Sequence, residues 1–336
     1  MKKLLALALV AMFLFVAACG DGGDSGSSGS SDPVVAYICK DLTQTWFIDL
    51  ADGMEEVVTG RGGELLLFDV GMSPDRYIEA LDSVVSRGDV DVLVVTPPDQ
   101  ALSQLTVERA AEAGIKVFAC CDGLIDDNGV HIAPAQELDA EVVGNGIGEW
   151  LGNYVKDNNI SSDDAMYMIM HMPDLSVTVP RGTGARDSFM ELLPDWPADK
   201  IMFVDYNGQT EESFNAAAAT ITANPQITTW LVSAANDEGS LGALRAIEQA
   251  GLDANATVVG LGGYHFLDEV DIDNAFKAAS WFSAKYVGRS AGTAAMDWIQ
   301  NGTVPFTSYI TGGKEFGVYG FGGIMITAEN YQEVMG

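Results

Sequence analysis

Basic residues are scarce in this 336-residue chain: 17 Lys and Arg stand against 48 Asp and Glu, a formal net charge of −31. A surface of that sign repels phosphate backbones and anionic headgroups, which excludes nucleic acid and charge-driven membrane binding. Histidine and cysteine are scarcer, at three and four residues, and none has zinc-site spacing, so neither a metal nor another cofactor is expected. Strings that mark common chemistries are also incomplete. Gly260-Leu261-Gly262-Gly263 lacks the dinucleotide fingerprint, and Gly312-Gly313-Lys314-Glu315 lacks the Ser or Thr of a phosphate loop. Gly288-Arg289-Ser290-Ala291-Gly292 matches a serine hydrolase elbow, yet it lies inside a helical pattern over 284–299 and no histidine follows it. No nucleophile is paired with a base, so an enzyme is not expected. Met166, Met168, Met170 and Met172, with His171 between, alternate along an apolar stretch in a way that fills a core face rather than ligates a soft metal.

The longest apolar run is at the amino terminus. Residues 1–18, MKKLLALALVAMFLFVAA, have two lysines, an uncharged apolar run and small residues before Cys19, the pattern of a secretory signal. The run is short for a spanning helix. Its Val16-Ala17-Ala18-Cys19 ending resembles the lipobox of bacterial lipoproteins, which implies cleavage before Cys19, diacylation of that residue and attachment to the membrane by acyl chains alone. The Gly/Ser-rich stretch through residue 32 then reads as a flexible tether, 19–32. Cys39, Cys120 and Cys121 remain, each at the end of an apolar strand pattern where a buried free thiol is expected. A vicinal pair on a strand points to opposite faces, so at most one of Cys120 and Cys121 should meet a strand-end cleft.

Beyond the tether, the unbroken apolar run Val34 to Cys39 reads as a parallel strand buried on both faces. It gives way at Lys40 to a polar turn carrying Trp46 and Phe47, a pair whose plainer reading is core residues opening a helix. Strand and helix patterns then alternate. Strands are expected at 63–70, 90–96 and 115–121, with helices at 48–58, 75–85 and 100–113 between them. A second series follows, with strands at 165–170, 201–205, 228–233 and 257–261 and helices at 142–155, 179–193, 211–223 and 238–250. Alternation with short connections gives parallel sheets wrapped by right-handed crossovers. Since one core rarely serves more than roughly 250–300 residues, two doubly wound α/β lobes with a cleft between them are expected. Ligands of such sheets bind beyond the carboxyl ends of strands, where Lys40, Trp46 and Phe47 fall.

The series Lys40, Gln44, Trp46-Phe47, Thr96-Pro97, Asp122, Arg181, Trp230-Leu231, Asn236-Asp237 and the GALRA string at 242–246 resembles the type I periplasmic solute-binding proteins of sugar ABC transporters, in particular their arabinose-binding members. The resemblance runs from about residue 34 to 326. It implies two parallel-sheet lobes joined by a three-segment hinge, and a ligand site between them. Carried over position by position, the family's lysine after the first strand falls on Lys40 and its next acidic residue is replaced by Gln44. The aromatics that pack on the sugar fall on Trp46 and Phe47. Of two neighbouring aspartates the second matches Asp122, while the first has become Cys121. The arginine falls on Arg181, the first asparagine on Asn236, and the place of the second asparagine is taken by Tyr264.

These residue types suit a sugar on physical grounds. Paired hydroxyls donate and accept at once and match the planar groups of Asp122, Asn236 and Arg181, while an aromatic wall covers the C–H face and strengthens those bonds by excluding water. Each has a plainer reading too: Asn236 as a helix N-cap before Asp237-Glu238, Arg181 as a surface ion-pair partner, Asp122 as a turn residue before Gly123. The resemblance further implies a first lobe of 33–138 plus 281–303, a second of 139–280 plus 324–336, and a hinge or irregular segment at 304–323. The expected role is an extracytoplasmic, lipid-anchored and monomeric receptor for a monosaccharide, pentose or hexose, that serves ABC permease subunits. A ligand-binding module for a chemoreceptor or sensor kinase is the alternative. A DNA-binding regulator of the same lobed fold is excluded by the lipobox and by the lack of a helical head before Val34.

Overall fold

A computed structural model describes residues 32–175, 178–309 and 316–335. The expected leader, Cys19 and all of the tether but Asp32 lie outside them.

The first series runs β1 (Val34–Cys39), α1 (Thr45–Gly60), β2 (Glu64–Asp69), α2 (Pro74–Arg87), β3 (Val92–Val95), α3 (Ser103–Glu112), β4 (Lys116–Cys121) and β5 (Ala135–Leu138). The second runs α4 (Ala140–Asp157), β6 (Ala165–His171), α5 (Val179–Leu192), β7 (Ile201–Asp205), α6 (Thr210–Ala223), β8 (Thr229–Ala234), α7 (Asp237–Ala250), β9 (Ala256–Gly262), α8 (Tyr264–Glu269) and β10 (Phe276–Trp281). The chain ends with α9 (Ala284–Asn301), β11 (Val318–Phe321), β12 (Ile324–Thr327) and α10 (Tyr331–Met335). Local signals set many of these boundaries. Ser73 caps α2 ahead of Pro74, and Asp139 and Ser283 cap α4 and α9 by accepting backbone N–H bonds that the first turn leaves open.

Two six-stranded sheets result. One has the order β11-β5-β4-β3-β1-β2 with every pair parallel, and the other the order β12-β10-β9-β8-β6-β7, parallel except where β12 runs against β10. The fold is therefore α/β with two doubly wound lobes. The buried strands β1 and β3, VVAYIC and VLVV, occupy the inside of their sheet, whereas β2, with exposed positions, lies on its edge. The chain passes between the sheets three times, at Leu138–Asp139, at Phe282–Ser283 and between Phe321 and Ile324.

Helices α1 and α9 pack on each other beside the first sheet, and α4 and α5 beside the second. Glycine permits both contacts. A Cβ at Gly288 would lie 1.9 Å from the Leu50 carbonyl oxygen, and one at Gly148 would lie 2.0 Å from that of Ala185. The hydrolase-like string at 288–292 is thus a helix-packing surface.

Two findings depart from the sequence reading. The 304–323 stretch, expected as a hinge or irregular segment, contributes β11 to the first sheet, where Val318 to Phe321 pair in register with Ala135 to Leu138. Helix α1 begins at Thr45 and not at 48, so Trp46 and Phe47 sit buried in its first turn, as in their plainer reading, with Gln44 extended ahead of them.

Candidate functional site

The site forms where the carboxyl ends of the two sheets face each other. Lys40 follows β1 and Asp122 follows β4, so both charged groups emerge at the carboxyl ends of strands. Lys40 Nζ donates to Asp122 Oδ2 at 2.5 Å, with both residues buried. From the opposite lobe Arg181, in the first turn of α5, brings Nη2 to 3.9 Å from Asp122 Oδ1 and anchors Nη1 on the Ala235 carbonyl at 2.7 Å. Its Nε is buried without a hydrogen-bond partner among the described residues. Burial pulls the Arg181 guanidinium below its usual pKa, with the Asp122 charge opposing that shift.

All nine positions singled out in the sequence line one cavity: Lys40, Gln44, Trp46, Phe47, Cys121 and Asp122 from the first lobe, and Arg181, Asn236 and Tyr264 from the second. The cavity is about 60 Å³, small enough that an occupant would touch both lobes. Residues that sequence reasoning missed complete it. Phe282 meets Trp46 edge-on at 4.6 Å and Phe321 at 5.6 Å, so an aromatic cluster backs the charged triad. Lys40 also lies 5.5 Å from the Phe47 ring centre, within cation–π reach. Phe282 and Phe321 stand at chain crossings, and no local motif marks them. Only the strand order brings them together.

The plain reading of Asn236 holds as well. It caps α7: Oδ1 accepts from the Gly239 N–H and from the Tyr206 hydroxyl, and Nδ2 donates to the Gly208 carbonyl. One Nδ2 proton remains for a ligand. Tyr264 donates its hydroxyl to Glu238 Oε2 at 2.6 Å, which leaves that oxygen as an acceptor. Burial raises the Glu238 carboxyl to about 7, a shift that the Tyr264 bond opposes and that the charges of Asp237 and Asp41 reinforce. A second contact spans the lobes at the cleft's edge, where Gln209 Nε2 donates to Asp41 Oδ2 at 2.7 Å.

Of the vicinal pair only Cys121 lines the cavity, in keeping with the expectation that at most one would, but the reason expected for it does not hold. Cys121 has φ of +74°, a left-handed conformation uncommon outside glycine. Along β4 the pleat sends Val117 and Ala119 into the outer core and Phe118 and Cys120 into the inner one, yet Cys121 also lies in the inner core. The two sulfurs are 3.8 Å apart on one side of the strand, and not on opposite faces.

Residues 35–303 match the model of the periplasmic binding protein domain. An L-arabinose-binding periplasmic protein of an ABC transporter from Azospirillum brasilense is 24% identical over 310 residues, covering 89% of this chain and 88% of that one. Among solved structures, a Caulobacter myo-inositol binding protein with bound myo-inositol superposes with a TM-score of 0.75 at 19% identity, over 90% of this chain and 96% of that one. The arabinose ABC transporter's periplasmic binding component from Shewanella, bound to L-arabinofuranose, gives a TM-score of 0.71 at 18% identity, over 90% and 94%.

Proposed function

The chain belongs to the periplasmic binding protein domain family, and from that premise we propose that it captures a monosaccharide, a pentose or hexose, in the interlobe cavity for an ABC importer. Family membership makes it an extracytoplasmic substrate-binding protein of transport and not an enzyme. The observation that carries the sugar reading is the Lys40–Asp122–Arg181 triad backed by Trp46, Phe47, Phe282 and Phe321 in one cavity. Asp122, between the cations of Lys40 and Arg181, presents carboxylate lone pairs to paired hydroxyls. The aromatic rings cover an apolar ring face and exclude water, which strengthens those hydrogen bonds.

The moving bodies in this reading are 33–138 with 281–303, now joined by β11, and 139–280 with 324–336. They close about three crossings, and permease subunits read the closed shape. Cys19, acylated, tethers the monomeric receptor to the membrane. Thermal unfolding in the presence of a panel of pentoses, hexoses and polyols tests the ligand class. Saturation at a hundredfold over Kd adds about 2.7 kcal/mol of stability, a clear rise in Tm. A panel with no shift for any sugar overturns the proposal. Cys19→Ser tests the tether, with loss of lipid labelling expected.

A further inference from the structure

We propose that Cys120 and Cys121 are a redox modification site, closing into a vicinal disulfide that forms part of the cavity wall. Adjacent residues of a pleated strand place their side chains on opposite faces, which keeps neighbouring thiols apart. Here the left-handed backbone at Cys121 turns its side chain back, and the sulfurs meet at 3.8 Å in the same core. A non-glycine residue held at positive φ is strained and persists only where the surroundings enforce it. A ring through the two sulfurs would hold that conformation covalently.

The remaining thiol is not a competitor. Cys39 ends β1, and β3 lies between β1 and β4, so two strand spacings, about 9–10 Å, separate it from the pair. Disulfides need Cα atoms within about 7 Å. Cys39 is also fully buried, and burial pushes its thiol up to about 12, which suppresses the reactive thiolate. Cys121 differs in access. It lines the sugar cavity on one side and, on the other, an open pocket bounded by His131, Glu137 and Tyr309.

The chemistry needs an external disulfide of the glutathione type, and extracytoplasmic compartments are oxidising. Cys121, as thiolate, attacks that disulfide; its S–S bond breaks, one thiol leaves and a mixed disulfide forms. Cys120 then loses its proton and displaces the second thiol as the Sγ–Sγ bond closes. The two cysteines give up two electrons and two protons, and the external disulfide takes both as two thiols. The neighbouring Cys121 sulfur and burial raise the Cys120 thiol well above its usual range, so the attack begins at Cys121. The product replaces a thiol at the wall with a face that carries no S–H donor, directly before Asp122.

The test does not depend on which ligand the cavity takes. The full chain, isolated from the extracytoplasmic fraction without reductant and incubated with oxidised glutathione, is alkylated after denaturation and cut with trypsin. Both cysteines fall on the fragment 117–156. The expected result is a fragment without alkyl groups, lighter than the dithiol by two hydrogens, that takes two alkyl groups only after reduction. Cys39 should be alkylated throughout. A fragment carrying two alkyl groups before reduction overturns the proposal. In Cys39→Ser the mass deficit should persist; its loss there would mean that the pairing involves Cys39 and would equally overturn it.

Discussion

The two walls of the cavity are built on different plans. On the first lobe, Lys40, Asp122 and the aromatics of α1 sit at strand ends and in one helix turn, and the charges face the cavity and each other. On the second, each lining polar group is anchored by at least one bond within its own lobe. Arg181 holds the Ala235 carbonyl, Asn236 caps α7, and Tyr264 holds Glu238. The first wall presents the carboxylate at the centre of the triad, and the second offers fixed positions with single remaining donors or acceptors. Recognition energy should therefore concentrate on the first wall, with the second acting as a preorganised lid.

Removing Asp122 should test that contrast most severely. Asp122→Ala leaves Lys40 and Arg181 facing each other unpaired, and loss of one partner from a buried charged pair costs about 2–5 kcal/mol, or roughly thirtyfold to several thousandfold in affinity. Calorimetric titration with a sugar that raises Tm measures it. Arg181→Ala, on the second wall, should fall near the bottom of that range, about 2 kcal/mol, because its contact with Asp122 is longer. If Arg181→Ala costs more than Asp122→Ala, the contrast between the walls is wrong.

A pH experiment sharpens the comparison from the second wall. Glu238 titrates near 7 in the fold against 4.5 ordinarily. Between those values the folded protein holds a proton that the unfolded chain has lost, so stability falls as pH rises through that window and levels off above it. The full contribution is about 3 kcal/mol. Urea unfolding near pH 5 and pH 8 should show the decline, and Glu238→Gln should remove that part of it. An identical slope in the variant would show that the carboxyl is not held protonated.

Smaller effects follow. Asn236→Ala should lower stability by about 1 kcal/mol through loss of the helix cap. Its effect on affinity should be slight, since most of its hydrogen bonds go to its own lobe; comparing melting with titration separates the two. Gln209→Ala removes the bond to Asp41 across the cleft's edge, worth about 0.5–1.5 kcal/mol. It should weaken binding by about twofold to about tenfold.

What was legible in the sequence follows the same divide. The first wall could be read locally: an apolar strand that stops at a lysine, with an aromatic pair six residues on, announces a strand end and a site, and Asp122-Gly123 repeats the signal. The two lobes were legible from the alternation of periods. Hidden were features made by long-range pairing. Strand β11 is four residues long and exists because β5 offers an edge, and the aromatics Phe282 and Phe321 meet only across chain crossings. The inward turn of Cys121 was illegible because a strand's period of two assigns it to the other face, and one positive φ reverses that assignment. The buried carboxyl of Glu238 reads in sequence as one more acid in the first turn of a helix.

The three chain crossings bear on how such a receptor could be altered. Leu138, Phe282 and Phe321 stand at the three of them and also line the cavity floor. On the closure proposed here, the floor is the fulcrum. Widening it to admit a bulkier guest would move the axis about which the halves turn, so guest size and swing angle would be inherited as one trait. Positions on the walls, such as Gln44 and Tyr264, are free of that coupling, and a lineage or an engineer changing diet without changing stroke would have to work there.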